Sequence, residues 1–172
     1  TGEPRKYIAT EKRFSGITWG SDDFAIVSEG LSKTRMRVVS SFDPADPQKT
    51  KKMIYEYNSD DGYNNPGRFY TEQNPYGQSV LKFIDKGKSL LLLGNGASPE
   101  GDRPFIDRYE IASGKTTRLW RSEAPYYESV LTVLDISRNL VLTSRQSVAE
   151  VPNYFIRNLK TGKLAQVTKF EN

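Results

Sequence analysis

The feature that most restricts the fold of this chain is a turn that occurs twice. Ser113-Gly114-Lys115 returns as Thr161-Gly162-Lys163, and the residues before each copy correspond as well. Pro104-Phe105-Ile106-Asp107-Arg108-Tyr109-Glu110-Ile111 aligns with Pro152-Asn153-Tyr154-Phe155-Ile156-Arg157-Asn158-Leu159. Further upstream, Leu90-Leu91-Leu92-Leu93 stands where Leu140-Val141-Leu142-Thr143 stands in the later copy. A repeat of about 50 residues is the spacing of propeller blades with four strands each.

The local chemistry agrees. The four leucines are too few for an independent helix and lie between Lys-Gly and Gly-Asn-Gly, so they read as a strand buried on both faces. A polar turn follows, then extended patterns over Phe105–Ile111 and Thr116–Trp120 on either side of the Ser-Gly-Lys turn. A looser copy lies earlier: Phe24–Ser28, Thr34–Phe42, a proline turn at Asp43–Pro47, and Lys52–Tyr57. Arg5–Thr10, Arg68–Glu72 and Ser129–Leu134 are the expected first strands. The expectation is therefore an all-β chain: a partial β-propeller of about three four-stranded antiparallel blades, near residues 4–62, 63–125 and 126–172. A β-sandwich would instead show seven strands without the recurrence.

A chain of 172 residues can bury roughly 70% of its unfolded surface, enough for a genuine core. Cysteine is absent, which removes disulfides, thiolate zinc sites and a cysteine nucleophile, and assigns no compartment. No apolar stretch approaches the length of a membrane span and no signal peptide is seen; the opening Thr-Gly-Glu-Pro reads as the edge of an excised segment. Histidine is also absent, and so is Gly-x-Ser-x-Gly. A Ser-His-Asp hydrolase needs an imidazole to carry the proton, so no catalytic residue, metal ligand set or cofactor is expected in this segment. The 25 basic residues are interleaved with 21 acidic ones, a balance that lacks the concentrated patch nucleic acid requires.

Several local signals have a structural and a functional reading. Gly94-Asn95-Gly96 lacks the following helix that a phosphate-binding turn needs, so turn chemistry is expected. Asp22-Asp23 and Asp60-Asp61 fall at strand boundaries, where aspartate satisfies turn backbone. Lys33, Arg35 and Arg37 alternate, so on a strand they share one face. That face is either simply solvated or a basic patch for a carboxylate-bearing substrate. Arg103 and Arg145 lie near the ends of buried strands, at the rim where propeller loops gather. Tyr126, Tyr127 and Tyr154 either pack between blades or offer flat surfaces to a peptide. Arg35, Arg37, Arg103, Arg145 and Tyr154 form the candidate substrate-binding set.

Gly96-Ala97-Ser98-Pro99-Glu100-Gly101-Asp102-Arg103-Pro104-Phe105, Ser122-Glu123-Ala124-Pro125-Tyr126-Tyr127-Glu128-Ser129 and Pro152-Asn153-Tyr154-Phe155 resemble the propeller region of prolyl-oligopeptidase-family serine peptidases. Within that family the similarity is to the glutamyl-endopeptidase-like or dipeptidyl-aminopeptidase branch, over about residues 16–170. The resemblance implies a propeller that precedes an α/β-hydrolase domain of the same chain, covers its active site and guides peptide substrate to it. No residue here matches the family's nucleophile elbow or triad histidine, so none of its catalytic residues carries over. The runner-up is a non-enzymatic propeller scaffold for protein–protein interaction; a downstream Gly-x-Ser-x-Gly with a later histidine separates the two. Neither nucleic acid nor membrane is an expected partner. Blades cut from a ring expose apolar faces, so the segment is expected to self-associate.

Overall fold

A computed structural model describes residues 2–171. The chain divides into two compact units, residues 2–65 with 70–83, and residues 66–69 with 84–171.

The first unit is built on an antiparallel meander in the order β1 (Arg13–Ser21), β2 (Phe24–Leu31), β3 (Met36–Phe42) and β4 (Lys52–Asn58). A single helical turn, α1 (Pro47–Thr50), connects β3 to β4 inside the proline-rich stretch. Ala25, Val27 and Phe42 form the core, with Ile8 and Ile17 packed on it. Arg5–Thr10, expected as the first strand, is irregular, and β1 begins at Arg13. The physical reason is that side chains hold this segment rather than a backbone ladder. Tyr7 donates to the Pro44 carbonyl at 2.9 Å, Ala9 N–H donates to Gln48 Oε1 at 2.8 Å, and Lys51 Nζ donates to the Ala9 carbonyl at 3.3 Å.

In the second unit β5 (Arg68–Phe69) pairs with β9 (Ser89–Gly94), which continues to β10 (Phe105–Glu110) and β11 (Thr116–Arg121). The expected strand Arg68–Glu72 is interrupted at Tyr70. Beyond it the chain belongs to the first unit, where β6 (Thr71–Gln73) pairs with β7 (Ser79–Leu81) instead, and a further short strand, β8 (Phe83–Ile84), then pairs with β9. Leu90, Leu91, Leu92 and Ile106 are fully buried, as a strand covered on both faces requires. No helix occurs between Gly94 and Ile111. The next sheet runs β12 (Tyr127–Asp135), β13 (Leu140–Gln146), β14 (Asn153–Asn158) and β15 (Leu164–Gln166), again in sequential antiparallel order.

The repeated turn repeats in structure down to its hydrogen bonds. Gly114 and Gly162 take φ of 71° and 73°, the left-handed region that favours glycine. Gly114 N–H donates to the Glu110 carbonyl at 2.8 Å and Gly162 N–H to the Asn158 carbonyl at 2.9 Å. Ile111 N–H reaches Lys88 at 3.0 Å, and Leu159 N–H reaches Asn139 at 2.8 Å. Two four-stranded meanders and, between them in sequence, a five-stranded antiparallel sheet, the last two closed by the same turn, make this chain an all-β partial propeller.

Candidate functional site

The last sheet places charge where strands are normally apolar. On one face, cross-strand partners run Glu128, Arg145 and Asn153; the next row is Val130, Thr143 and Phe155; then Val141 and Arg157. Arg157 reaches diagonally past Thr143 to Glu128, whose side chain is only 3% exposed. Its Nε donates to Glu128 Oε1 at 2.7 Å and a terminal nitrogen donates to Oε2 at 2.6 Å, the two-pronged geometry that suits a guanidinium and a carboxylate. Thr143 Oγ1 donates to Oε1 at 2.7 Å. The Glu128 N–H donates to Ser122 Oγ at 3.0 Å, and that hydroxyl in turn donates to the Tyr126 carbonyl at 2.9 Å. The carboxylate is thus desolvated, paired and fully hydrogen-bonded, which a buried charge requires. Arg157 also lies over the Trp120 ring, 4.8 Å from its centroid, which joins β14 to the end of β11.

Arg145 occupies a different position. Its guanidinium lies flat over Tyr126, 3.2 Å from the ring centroid, with Phe155 at 5.4 Å. Its nearest approach to Glu128 is 3.8 Å. It lines two clefts, one of about 420 Å³ shared with Trp120, Arg121, Tyr126 and Lys160, and one of about 480 Å³ shared with Glu150, Phe155 and Lys169.

The other sequence-predicted residues lie elsewhere. Tyr154 stands in the row next to Arg145 but on the opposite face of the sheet, 40% exposed. Arg103 lies in the loop before β10; its N–H donates to the Gly96 carbonyl at 2.9 Å. A Cβ on Gly96 would meet the Arg103 carbonyl oxygen at 2.1 Å, so this pinch in the loop demands glycine. Arg35 and Arg37 belong to the first unit, and the shared strand face expected for Lys33, Arg35 and Arg37 does not form. The strand begins only at Met36; Lys33 and Arg35 sit in the turn before it, Arg35 with φ of 59°. Arg35 pairs with Asp60 at 3.5 Å, whereas Arg37 lies across Gly30, where a Cβ would come within 2.8 Å of its guanidinium. The aspartate pairs serve turns: Asp23 accepts from Ser21 Oγ at 2.6 Å, and Asp61 accepts from the Tyr63 and Asn64 N–H groups.

Sequence reasoning missed Glu128, Arg157 and Thr143 as members of one cluster. The available signal was a charge at an inward register position: Arg157 alternates with Phe155 and Asn153, so it must face the same way as they do.

No protein-family model matches the chain. It is 29% identical over 181 residues to the probable chloroplastic glutamyl endopeptidase of Arabidopsis thaliana, covering 98% of this chain and 19% of that protein. A second match, to the probable chloroplastic glutamyl endopeptidase of Oryza sativa subsp. japonica, is 29% identical over 180 residues with the same coverage. Along its length the chain is thus similar to two probable glutamyl endopeptidases. It spans 19% of the length of these curated relatives. Among solved structures, TolB from Acinetobacter baumannii overlays with a TM-score of 0.39 at 13% identity, covering 96% of this chain and 46% of that one. Oligopeptidase B from Trypanosoma brucei overlays with 0.43 at 14% identity, covering 90% and 27%.

Proposed function

We propose that this chain is the non-catalytic propeller segment of a serine peptidase of the prolyl oligopeptidase family, gating access and guiding peptides to an α/β-hydrolase domain of the same protein. The observation that carries the reading is the match along 98% of the chain to two probable glutamyl endopeptidases, of whose length the match covers only 19%. Zero histidines and no nucleophile elbow support a division in which the proton-transfer chemistry is done elsewhere. The contribution of the segment is then steric and electrostatic. In the second unit the strand-borne Arg145 meets the peptide at its cleft and Arg103 presents a cation from the loop before β10; Arg35, in a turn, and Arg37, on β3, are the corresponding cations of the first unit. Tyr154 offers a ring on the outer face of the last sheet.

The test is made on the full-length protein. With gating intact, short peptides are cleaved and long unfolded chains are not. Shortening the 95–104 loop is expected to relax that limit while leaving cleavage of short peptides within a few-fold. An unchanged length preference, or a full coding sequence without Gly-x-Ser-x-Gly and a later histidine, overturns the reading in favour of a scaffold. The isolated segment is expected to self-associate, since Leu131, Leu134, Val167 and Phe170 of the second unit are each about half exposed. A clean monomer by light scattering across a wide concentration range argues against that.

A further inference from the structure

We infer that Arg145 is a pre-oriented seat for a carboxylate, and that the clefts on either side of it receive a peptide bearing one. The inference begins with an accounting of donors around the buried acid. Both Glu128 oxygens are already occupied, by Arg157 at 2.6 and 2.7 Å and by Thr143 at 2.7 Å. One guanidinium neutralises that carboxylate, and Arg145, at 3.8 Å, is a second cation beyond what it needs. Among the described residues the Arg145 guanidinium donates no hydrogen bond, although its side chain is only 18% exposed. The other arginines lining the cleft of about 420 Å³ are committed, Arg157 to Glu128 and Arg121 to the Gly96 carbonyl at 3.2 Å.

The guanidinium is also held in place. Tyr126 lies against its face, and Tyr126 is itself tied down by the Ser122 hydroxyl at its carbonyl and by its own hydroxyl to Glu150 at 3.3 Å. Stacking fixes the plane of the fork and leaves its edge free, so less conformational freedom is lost when two parallel N–H bonds form to a carboxylate. The cleft of about 420 Å³ carries Arg121, Arg145, Arg157 and Lys160 against Glu123 and Glu128, an excess of positive charge that selects an anion. Glu150 on the far side, together with Glu123, works against a doubly charged group and favours a single negative charge. Trp120 and Tyr126 supply flat apolar surface beside the charge, as a peptide ligand needs and a free inorganic ion does not. The choice of a peptide as bearer of the carboxylate rests on the function proposed above; the anion seat does not.

The experiment uses the chain as described and its two tryptophans. Trp120 lines the cleft and Trp19 belongs to the other unit, so their indole N–H signals in a proton–nitrogen correlation spectrum give a reporter and an internal control. Four probes are titrated: N-acetyl-Ala-Phe with a free terminal carboxylate, the same dipeptide amidated, N-acetyl-Ala-Glu-Ala-amide, and inorganic phosphate. Saturable movement of Trp120 but not Trp19 is expected with one or both carboxylate peptides. Which of the two binds distinguishes a terminal from a side-chain carboxylate. The amidated dipeptide and phosphate are expected to bind at least tenfold more weakly. Arg145→Met and Arg145→Lys should each weaken the carboxylate peptide about tenfold or more, the lysine variant because it keeps the charge but lacks the fork.

Equal response to the amidated dipeptide, equal response to phosphate, or full binding by Arg145→Lys overturns the assignment. A well-dispersed spectrum of each variant establishes that it is folded; should Arg145→Met fail this, Arg145→Lys decides. Failure here leaves the peptidase reading standing, because that reading is judged by the length selectivity of the full-length protein.

Discussion

The first and the last sheet each bury a carboxylate, and they neutralise it in different ways. Glu29 in β2 is 3% exposed and meets a lysine: Lys51 Nζ lies 2.8 Å from Oε1, while the backbone N–H of Lys12 donates to Oε2 at 2.6 Å. Lys12 spends its own ammonium on Glu56 at 3.1 Å. Glu128 in β12 meets an arginine fork and a threonine hydroxyl, with a second arginine in reserve. An ammonium is a point charge that satisfies one oxygen, so the first sheet recruits a backbone donor from the strap before β1 to satisfy the other. A guanidinium covers both oxygens from one side chain, so the last sheet needs no strap. The difference shows how one requirement, a paired and fully bonded buried charge, is met by chain connectivity in one place and by side-chain geometry in another.

That comparison is open to direct attack. The largest effect is expected from Arg157→Met, which strands a buried carboxylate and should lower stability by about 3–5 kcal/mol in denaturant unfolding. Pairing it with Glu128→Gln should recover much of the loss, because the uncompensated charge is then gone. Lys51→Met should cost about 1.5–3 kcal/mol, less than Arg157→Met because the Lys12 N–H still serves Glu29. Equal losses from the two variants would erase the distinction drawn between lysine and arginine pairing.

A pH titration sharpens the comparison further. Burial is the strongest single influence on Glu29 and raises its pKa. The Lys51 hydrogen bond and charge, together with the Lys12 and Glu11 backbone, outweigh it and hold the carboxyl below its ordinary value. A folded-state value below the unfolded one means that the contribution is complete above the ordinary glutamate pKa of about 4.3 and is lost as pH falls through the lower folded value. Unfolding measured between neutral and acid pH should therefore show a slope that flattens in Lys51→Met. The smallest expected effect is that of Arg145→Met on stability, below about 1 kcal/mol, since it gives up a stacking contact and no close ion pair. A loss as large as that of Arg157→Met would show that Arg145 belongs to the lock around Glu128.

The recurrence made most of the fold legible. Strands that fill their own faces with leucine, valine and isoleucine, and turns that need glycine at positive φ, carry local instructions, and β9 to β11 and β12 to β15 follow them. The readings that failed concern segments held from outside. Arg5–Thr10 has an extended pattern but is pinned by Gln48 and Lys51. Thr71–Gln73 leaves the Arg68–Phe69 line to pair with β7. Within the candidate site, Arg145 was visible as a cation near a strand end, but its partners were not. Glu128, Thr143 and Arg157 lie on three strands, and neither charge is conspicuous within its own segment.

The residue order by itself determined that the chain is all-β, that antiparallel strands recur around matching glycine turns, and that no imidazole-based chemistry can occur in it. Period, turn conformation and side-chain inventory are properties of neighbouring residues, so the sequence displays them directly. Which arginine is consumed by a buried acid and which is left with free donors was decided only by the tertiary structure. Register and burial bring Glu128 and Arg157 within 2.6 Å across 29 positions of chain, and hold Arg145 at 3.8 Å from the same carboxylate, a difference that no local pattern encodes.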